Sequence, residues 1–148
     1  MSKFFGSEQV TLDAKGRLIV PARMRKGLAP EANDTFVIVR GFDSCVNIYP
    51  YDEWTRLDEK LRALKDSDPD AVAFIESLYE FAQESTLDGS NRVQLTDLQI
   101  ESAGLTRGEE VKVLGLMGKI QVWNPKRWEQ KRAGFDAQKI NALARKFL

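Results

Sequence analysis

The sequence predicts an α+β protein with a mainly β core, in which two tandem copies of one small unit pack as a single pseudo-symmetric β-barrel with flanking helices. Three observations carry this prediction. A segment near the amino end recurs in the second half with its order preserved. Each copy holds short β-favouring runs divided by turn residues. Three further stretches place apolar side chains at helical spacing.

The repeat is read directly from the residues. Thr11-Leu12-Asp13-Ala14-Lys15-Gly16-Arg17-Leu18-Ile19-Val20 returns as Thr86-Leu87-Asp88-Gly89-Ser90-Asn91-Arg92-Val93-Gln94-Leu95. At nearly the same offset, Val37-Ile38-Val39-Arg40-Gly41-Phe42 returns as Val111-Lys112-Val113-Leu114-Gly115-Leu116. Val46-Asn47-Ile48-Tyr49 then matches Ile120-Gln121-Val122-Trp123, and Trp54 matches Trp128. Four echoes in one order define two copies, residues 1–69 and 70–148.

Taken in order, Val10-Thr11-Leu12 and Leu18-Ile19-Val20 are strand signals around a short turn in which Gly16 can take positive φ. Pro21 cannot donate to a ladder and suits a helix start, so a brief helix over 22–26 follows, with Met24 inward and Gly27 as its stop. In the second copy Thr96 or Asp97 caps the matching helix and Gly104 ends it. Strand pairs follow at 36–41 with 45–49 and at 110–115 with 119–123, turning at Asp43-Ser44 and Met117-Gly118. A unit of four short strands cannot close a core alone, whereas two such units can share one barrel. Helices are expected over 52–65 (Trp54, Leu57, Leu61, Leu64 inward), 70–84 (Phe74, Ile75, Leu78, Phe81, Ala82 inward) and 137–147 (Ile140, Leu143, Ala144, Phe147 inward). Core packing is the first reading of these stripes and subunit contact the second.

Composition excludes much. The 148 residues, 43% apolar and 30% charged, suffice for a packed core. No window reaches the ~20 apolar residues of a membrane span, and the amino end leads into no secretory core, so a cytoplasmic protein is expected. Cys45 is the only cysteine, which rules out an intramolecular disulfide and fits a small buried or half-buried side chain. The absence of histidine removes Ser-His and Cys-His nucleophile pairs and His-ligated metals. No nucleophile with its base and no metal-loop spacing appears, so neither an enzyme nor a cofactor or metal site is expected. A carboxylate-based enzyme would need two converging acids, and no such pair is evident.

The net charge is zero, with 22 bases and 22 acids, but it is unevenly spread. Lys3, Lys15, Arg17, Arg23, Arg25 and Lys26 outnumber Glu8 and Asp13 in residues 1–29, while residues 66–88 carry seven acids and no base. The basic end can meet a polyanion and the acidic middle should face away from it. Within the basic end, the turn at Asp13-Ala14-Lys15-Gly16-Arg17 presents two cations on a rigid edge. Gly16 allows close backbone approach to a phosphate, Arg17 can fork onto phosphate or a guanine edge, and Lys15 acts as a point charge. Asp13 would be repelled by DNA if it pointed outward; its expected role is to accept turn amides or to aim Arg17. The competing reading is a solvated hairpin whose Asp13–Arg17 ion pair has no ligand. Arg23 is a further candidate contact.

This hairpin, with Phe5-Gly6 before it and Leu18-Ile19-Val20-Pro21 after it, resembles the MraZ family, two-copy members of the SpoVT/AbrB swapped-hairpin class of bacterial DNA-binding proteins. The resemblance extends over the whole chain through length, both D-x-x-x-R hairpins and both tryptophan-bearing helix starts. The second hairpin, Asp88-Gly89-Ser90-Asn91-Arg92, keeps Asp88 and Arg92 but lacks the Lys, the following Gly and the later Pro, so Arg92 is expected to contribute less. The resemblance implies a nucleoid-associated transcriptional repressor of the division and cell-wall gene cluster, assembled as a ring. Lys15, Arg17, Arg23 and Arg92 would meet double-stranded DNA, with Asp13, Gly16 and Asp88 shaping the turns. A head-to-tail ring presents its tips in one direction, which predicts promoter direct repeats. The alternative is a ring-forming protein-interaction scaffold with no direct DNA role. Gly115-Leu116-Met117-Gly118-Lys119 lacks the spacing of a phosphate loop.

Overall fold

A computed structural model describes residues 1–148. The first strands are β1 (Ser7–Thr11) and β2 (Arg17–Ile19), followed by the short helix α1 (Ala22–Arg25) and a 3₁₀ turn at Pro30–Ala32. Next come β3 (Thr35–Arg40), β4 (Val46–Pro50) and the helices α2 (Tyr51–Arg62) and α3 (Pro69–Glu80). The second half continues with β5 (Gln83–Thr86), β6 (Arg92–Gln94), α4 (Asp97–Ser102), β7 (Glu110–Leu116), β8 (Lys119–Trp123), α5 (Pro125–Ala133) and α6 (Ala137–Phe147).

The class is α+β with an antiparallel sheet, as expected, but no barrel closes. Six strands form one sheet in the order β1-β7-β8-β4-β3-β5, and β2 pairs with β6 in a separate ribbon. The reason lies in the turns. Across the first turn, Asp13 N–H donates to Arg17 carbonyl oxygen at 2.9 Å, after which the two strands part. β1 joins β7 in the register Val10↔Val111, and β2 joins β6 with Leu18↔Val93. β5 likewise leaves β6 and pairs with β3, placing Ser85 opposite Phe36. β1 and β5 are therefore free edges, with the ribbon lying over the sheet between them.

The expected helix over 70–84 stops at Glu80, and residues 83–86 are strand. The apolar stripe misled here, because Phe81 and Ala82 continue the helical spacing while the β-branched Thr86 corresponds to Thr11 at the end of β1. Other boundaries lie close to expectation. Thr96 caps α4 in a reciprocal box with Gln99, and Gly104 ends it at φ +64. α2 starts after Pro50 and α3 after the Asp68 cap, with Pro69 in its first turn.

The main core lies between the sheet and the layer made by the ribbon, α1 and α4. Leu12, Leu18, Met24, Phe36, Ile38, Ile48, Val93, Val113 and Ile120 are all buried in it. On the opposite face Val37 and Val39 meet Trp54, Leu61 and Leu78. β3 is thus covered on both faces, which is why its sequence is a continuous apolar run instead of an alternation. Gln99, fully buried, ties the layers together: its amide donates to Ile38 O at 3.0 Å and Phe81 O at 2.8 Å. Cys45 is buried, and loss of solvation pushes its thiol up to about 11. The stripe expected to pack α6 inward does not do so, since no residue of that helix is buried in the chain.

Candidate nucleic-acid interface

Both turns are built around an aspartate. Asp13 Oδ1 accepts the amides of Lys15 at 2.9 Å and Arg17 at 2.8 Å, and its Oδ2 accepts Arg17 Nε at 2.9 Å. Asp88 does the same with Ser90 N at 2.8 Å, Arg92 N at 3.0 Å and Arg92 Nε at 2.9 Å. In each case the carboxylate both closes the turn and binds the inner edge of a guanidinium, so the side chain is aimed before any ligand arrives. The position before each arginine is left-handed, with φ +77 at Gly16 and +62 at Asn91. Asparagine is among the few residues that take this conformation readily. The second turn therefore keeps the geometry of the first and loses only the lysine, whose place Ser90 takes.

The turns lie side by side. Val20 N–H donates to Asn91 O at 3.0 Å and Leu95 N–H to Gly16 O at 2.9 Å, extending the ribbon at both ends. Gln94 Nε2 donates to Lys15 O at 2.7 Å and Leu95 O at 2.9 Å. Arg92 also approaches Asp13, with its Nη1 at 3.7 Å from Oδ2. Asp13 thus touches both guanidiniums. Lys15 is exposed, and the arginine side chains each retain 28% of their accessible surface. Sequence reasoning missed Gln94 and Asn91. Only the second had a signal, as an Asx residue aligned with a turn glycine.

Arg23 stands on the surface, paired with an acid of β1. Its Nε donates to Glu8 Oε1 at 3.1 Å, and with Lys3, Phe5 and Lys26 it lines a separate surface cleft. No group of three or more Cys, Asp or Glu is arranged to hold a metal, and no helix is long and apolar enough to cross a membrane.

Hydrogen bonding holds both aspartates below their ordinary carboxyl value of 3.8. The largest cause is the Arg17 amide for Asp13 and the Arg92 amide for Asp88, partly opposed by lost solvation. Because the folded value is the lower one, each carboxylate's contribution is complete above the unfolded value and is lost as pH falls through the folded one. The Asp13→Asn, Asp88→Asn double variant should therefore show a flatter dependence of unfolding on pH below about pH 4, measured by circular dichroism. An acid profile identical to the parent's would contradict this. Gly16→Ala would place a Cβ 3.0 Å from Ile100 Cδ1 and 3.3 Å from Leu95 O at a positive φ. It should cost about 1–2 kcal/mol in thermal unfolding, whereas Asn91→Gly should change stability by about 1 kcal/mol or less.

The chain is thus an α+β protein with a mainly antiparallel sheet that carries paired aspartate-braced arginine turns on one two-stranded ribbon. Residues 4–75 match the family model described as "MraZ protein, putative antitoxin-like". A protein of Desulforamulus reducens named "Transcriptional regulator MraZ" is 35% identical over 90% of both chains. Proteins of the same name from Natranaerobius thermophilus (37% identical over 85% of this chain and 84% of the relative) and Moorella thermoacetica (38%, over 86% and 85%) are also similar. The chain belongs to the MraZ family.

Proposed function

We propose that this chain is a DNA-binding transcription regulator that grips the duplex with its two aspartate-braced turns. The observation that carries the reading is the juxtaposition of Arg17 and Arg92, each held at Nε by its own aspartate, with Lys15 exposed beside them. A guanidinium fixed on its inner edge keeps its outer N–H groups for phosphate or for a guanine edge. Names borne by the relatives support regulation of transcription, and the family resemblance supports repression of the division and cell-wall gene cluster from the nucleoid. The exchanged strand pairings fit two interleaved copies of the swapped-hairpin unit, residues 1–69 and 70–148, as the source of the paired turns.

One chain offers little. The two turns hold three cations and two carboxylates, so their net charge is small, and affinity must come from several chains acting together. A cyclic homo-oligomer with its turns on one rim would read direct repeats spaced near one helical turn, ~10 base pairs, along promoter DNA. Arg23, occupied by Glu8, is a peripheral contact in this arrangement. Footprinting on DNA retained by the purified protein tests the arrangement. Protected direct repeats are expected, and a single inverted repeat covered by one dimer would overturn it. Absence of DNA binding even at low salt would favour the scaffold reading.

A further inference from the structure

Helix α6 is built to be covered, yet no residue of it is buried in the chain, and Leu143 and Ala144 are only half-buried. Ile140, Leu143, Ala144 and Phe147 form one stripe. Ile140 is 49% exposed and Phe147 72% exposed, and Phe135 just before the helix is 52% exposed. An 11-residue helix without a packing partner is marginal in water, so a stable α6 needs an apolar surface from outside. Its polar face carries Lys139, Arg145 and Lys146 and no acid. Two such helices would repel one another, which disfavours self-pairing.

A complementary surface lies on α3. Phe74 stacks on Phe42 with ring centres 5.3 Å apart, and the pair stays open to solvent at 41% and 56% exposure. Asp66, Asp68 and Asp70 precede it, and residues 66–88 contain no base. We infer that the basic amphipathic helix α6 of one chain docks on the acidic Phe42–Phe74 surface of a second copy of this chain. Donor and acceptor are different patches, so the contact is heterologous: the copy that donates keeps a free acceptor, the copy that accepts keeps a free donor, and growth continues until a ring closes or a filament forms. This deepens the oligomer reading above and rests on it.

Two variants test the inference with the intact protein, by light scattering after size exclusion without DNA. I140D/F147D disables the donor and F74D the acceptor. All three positions are exposed, and circular dichroism checks that each variant folds. Each variant alone should run as a monomer, while an equimolar mixture should give a 1:1 dimer and nothing larger, because only one intact donor and one intact acceptor remain. Variants that keep the parent's larger mass would overturn the inference and leave an oligomer built on another surface. A mixture that stays monomeric would overturn the pairing of these two patches. A parent protein that is itself monomeric would overturn both this inference and the ring.

Discussion

Arg17→Ala is expected to weaken DNA binding by at least tenfold without changing the fold, and Arg92→Ala to act nearly as strongly. A charge-assisted hydrogen bond contributes about 1.5–3 kcal/mol, and each 1.4 kcal/mol is about tenfold in affinity. Removing the guanidinium from every subunit of an assembly compounds the effect. The alanine also removes the guanidinium held 2.9 Å from Asp13 Oδ2, leaving only Arg92 Nη1, 3.7 Å away, to offset that carboxylate's charge beside the phosphates. Near-equality of the two variants follows from geometry. The second turn reproduces the aspartate brace and the left-handed residue, although its sequence had pointed to a weaker contact. Lys15→Ala should cost less, because an exposed ammonium on a flexible stem is less well fixed than a braced guanidinium. Titrations at several salt concentrations check this: the slope of log K against log salt should fall by about 0.9 for each phosphate that is no longer neutralised. Retained affinity in both arginine variants would remove these turns from the interface.

The largest effect on stability is expected from Phe36→Ala. Phe36 has no accessible surface, lies on the inner face of β3 and sits opposite Pro50 of β4 and Ser85 of β5. It therefore anchors the core where a strand of the second half joins the first. Emptying a buried phenylalanine site costs about 3–5 kcal/mol, enough to lower the melting temperature by roughly 10 °C in a chain of this size. Phe42→Ala, at an exposed ring, should change stability by about 1 kcal/mol or less. Calorimetry distinguishes the two, and similar small shifts would mean that the core does not run through the exchanged strands.

Much of this was legible in the residues. The recurrence of Thr11–Val20 as Thr86–Leu95 located both turns, and a cap at Thr96 or Asp97 (Thr96 in the structure) and the stop at Gly104 were readable from local chemistry. Strand partners were not. Val10 and Leu18 carry the same β preference whether their strands pair with each other or with the other half. The choice rests on how sharply the Asp13 turn splays them, which is a property of three-dimensional closure. Residues 83–84 read as helix because a helical apolar stripe runs into a strand without a proline or glycine between them. The brace by Gln94 was invisible, since its partners, the Lys15 and Leu95 carbonyls, are backbone groups. The α6 stripe is amphipathic in sequence and in structure, but amphipathicity does not say whether the covering surface belongs to the same chain.

Whether the paired turns hold DNA is decided by capturing fragmented genomic DNA on the purified protein and on its Arg17→Ala form. The parent should enrich a small set of fragments containing direct repeats, and the variant should lose this enrichment while keeping the parent's assembly mass. Equal enrichment of the same fragments by both proteins would contradict this expectation.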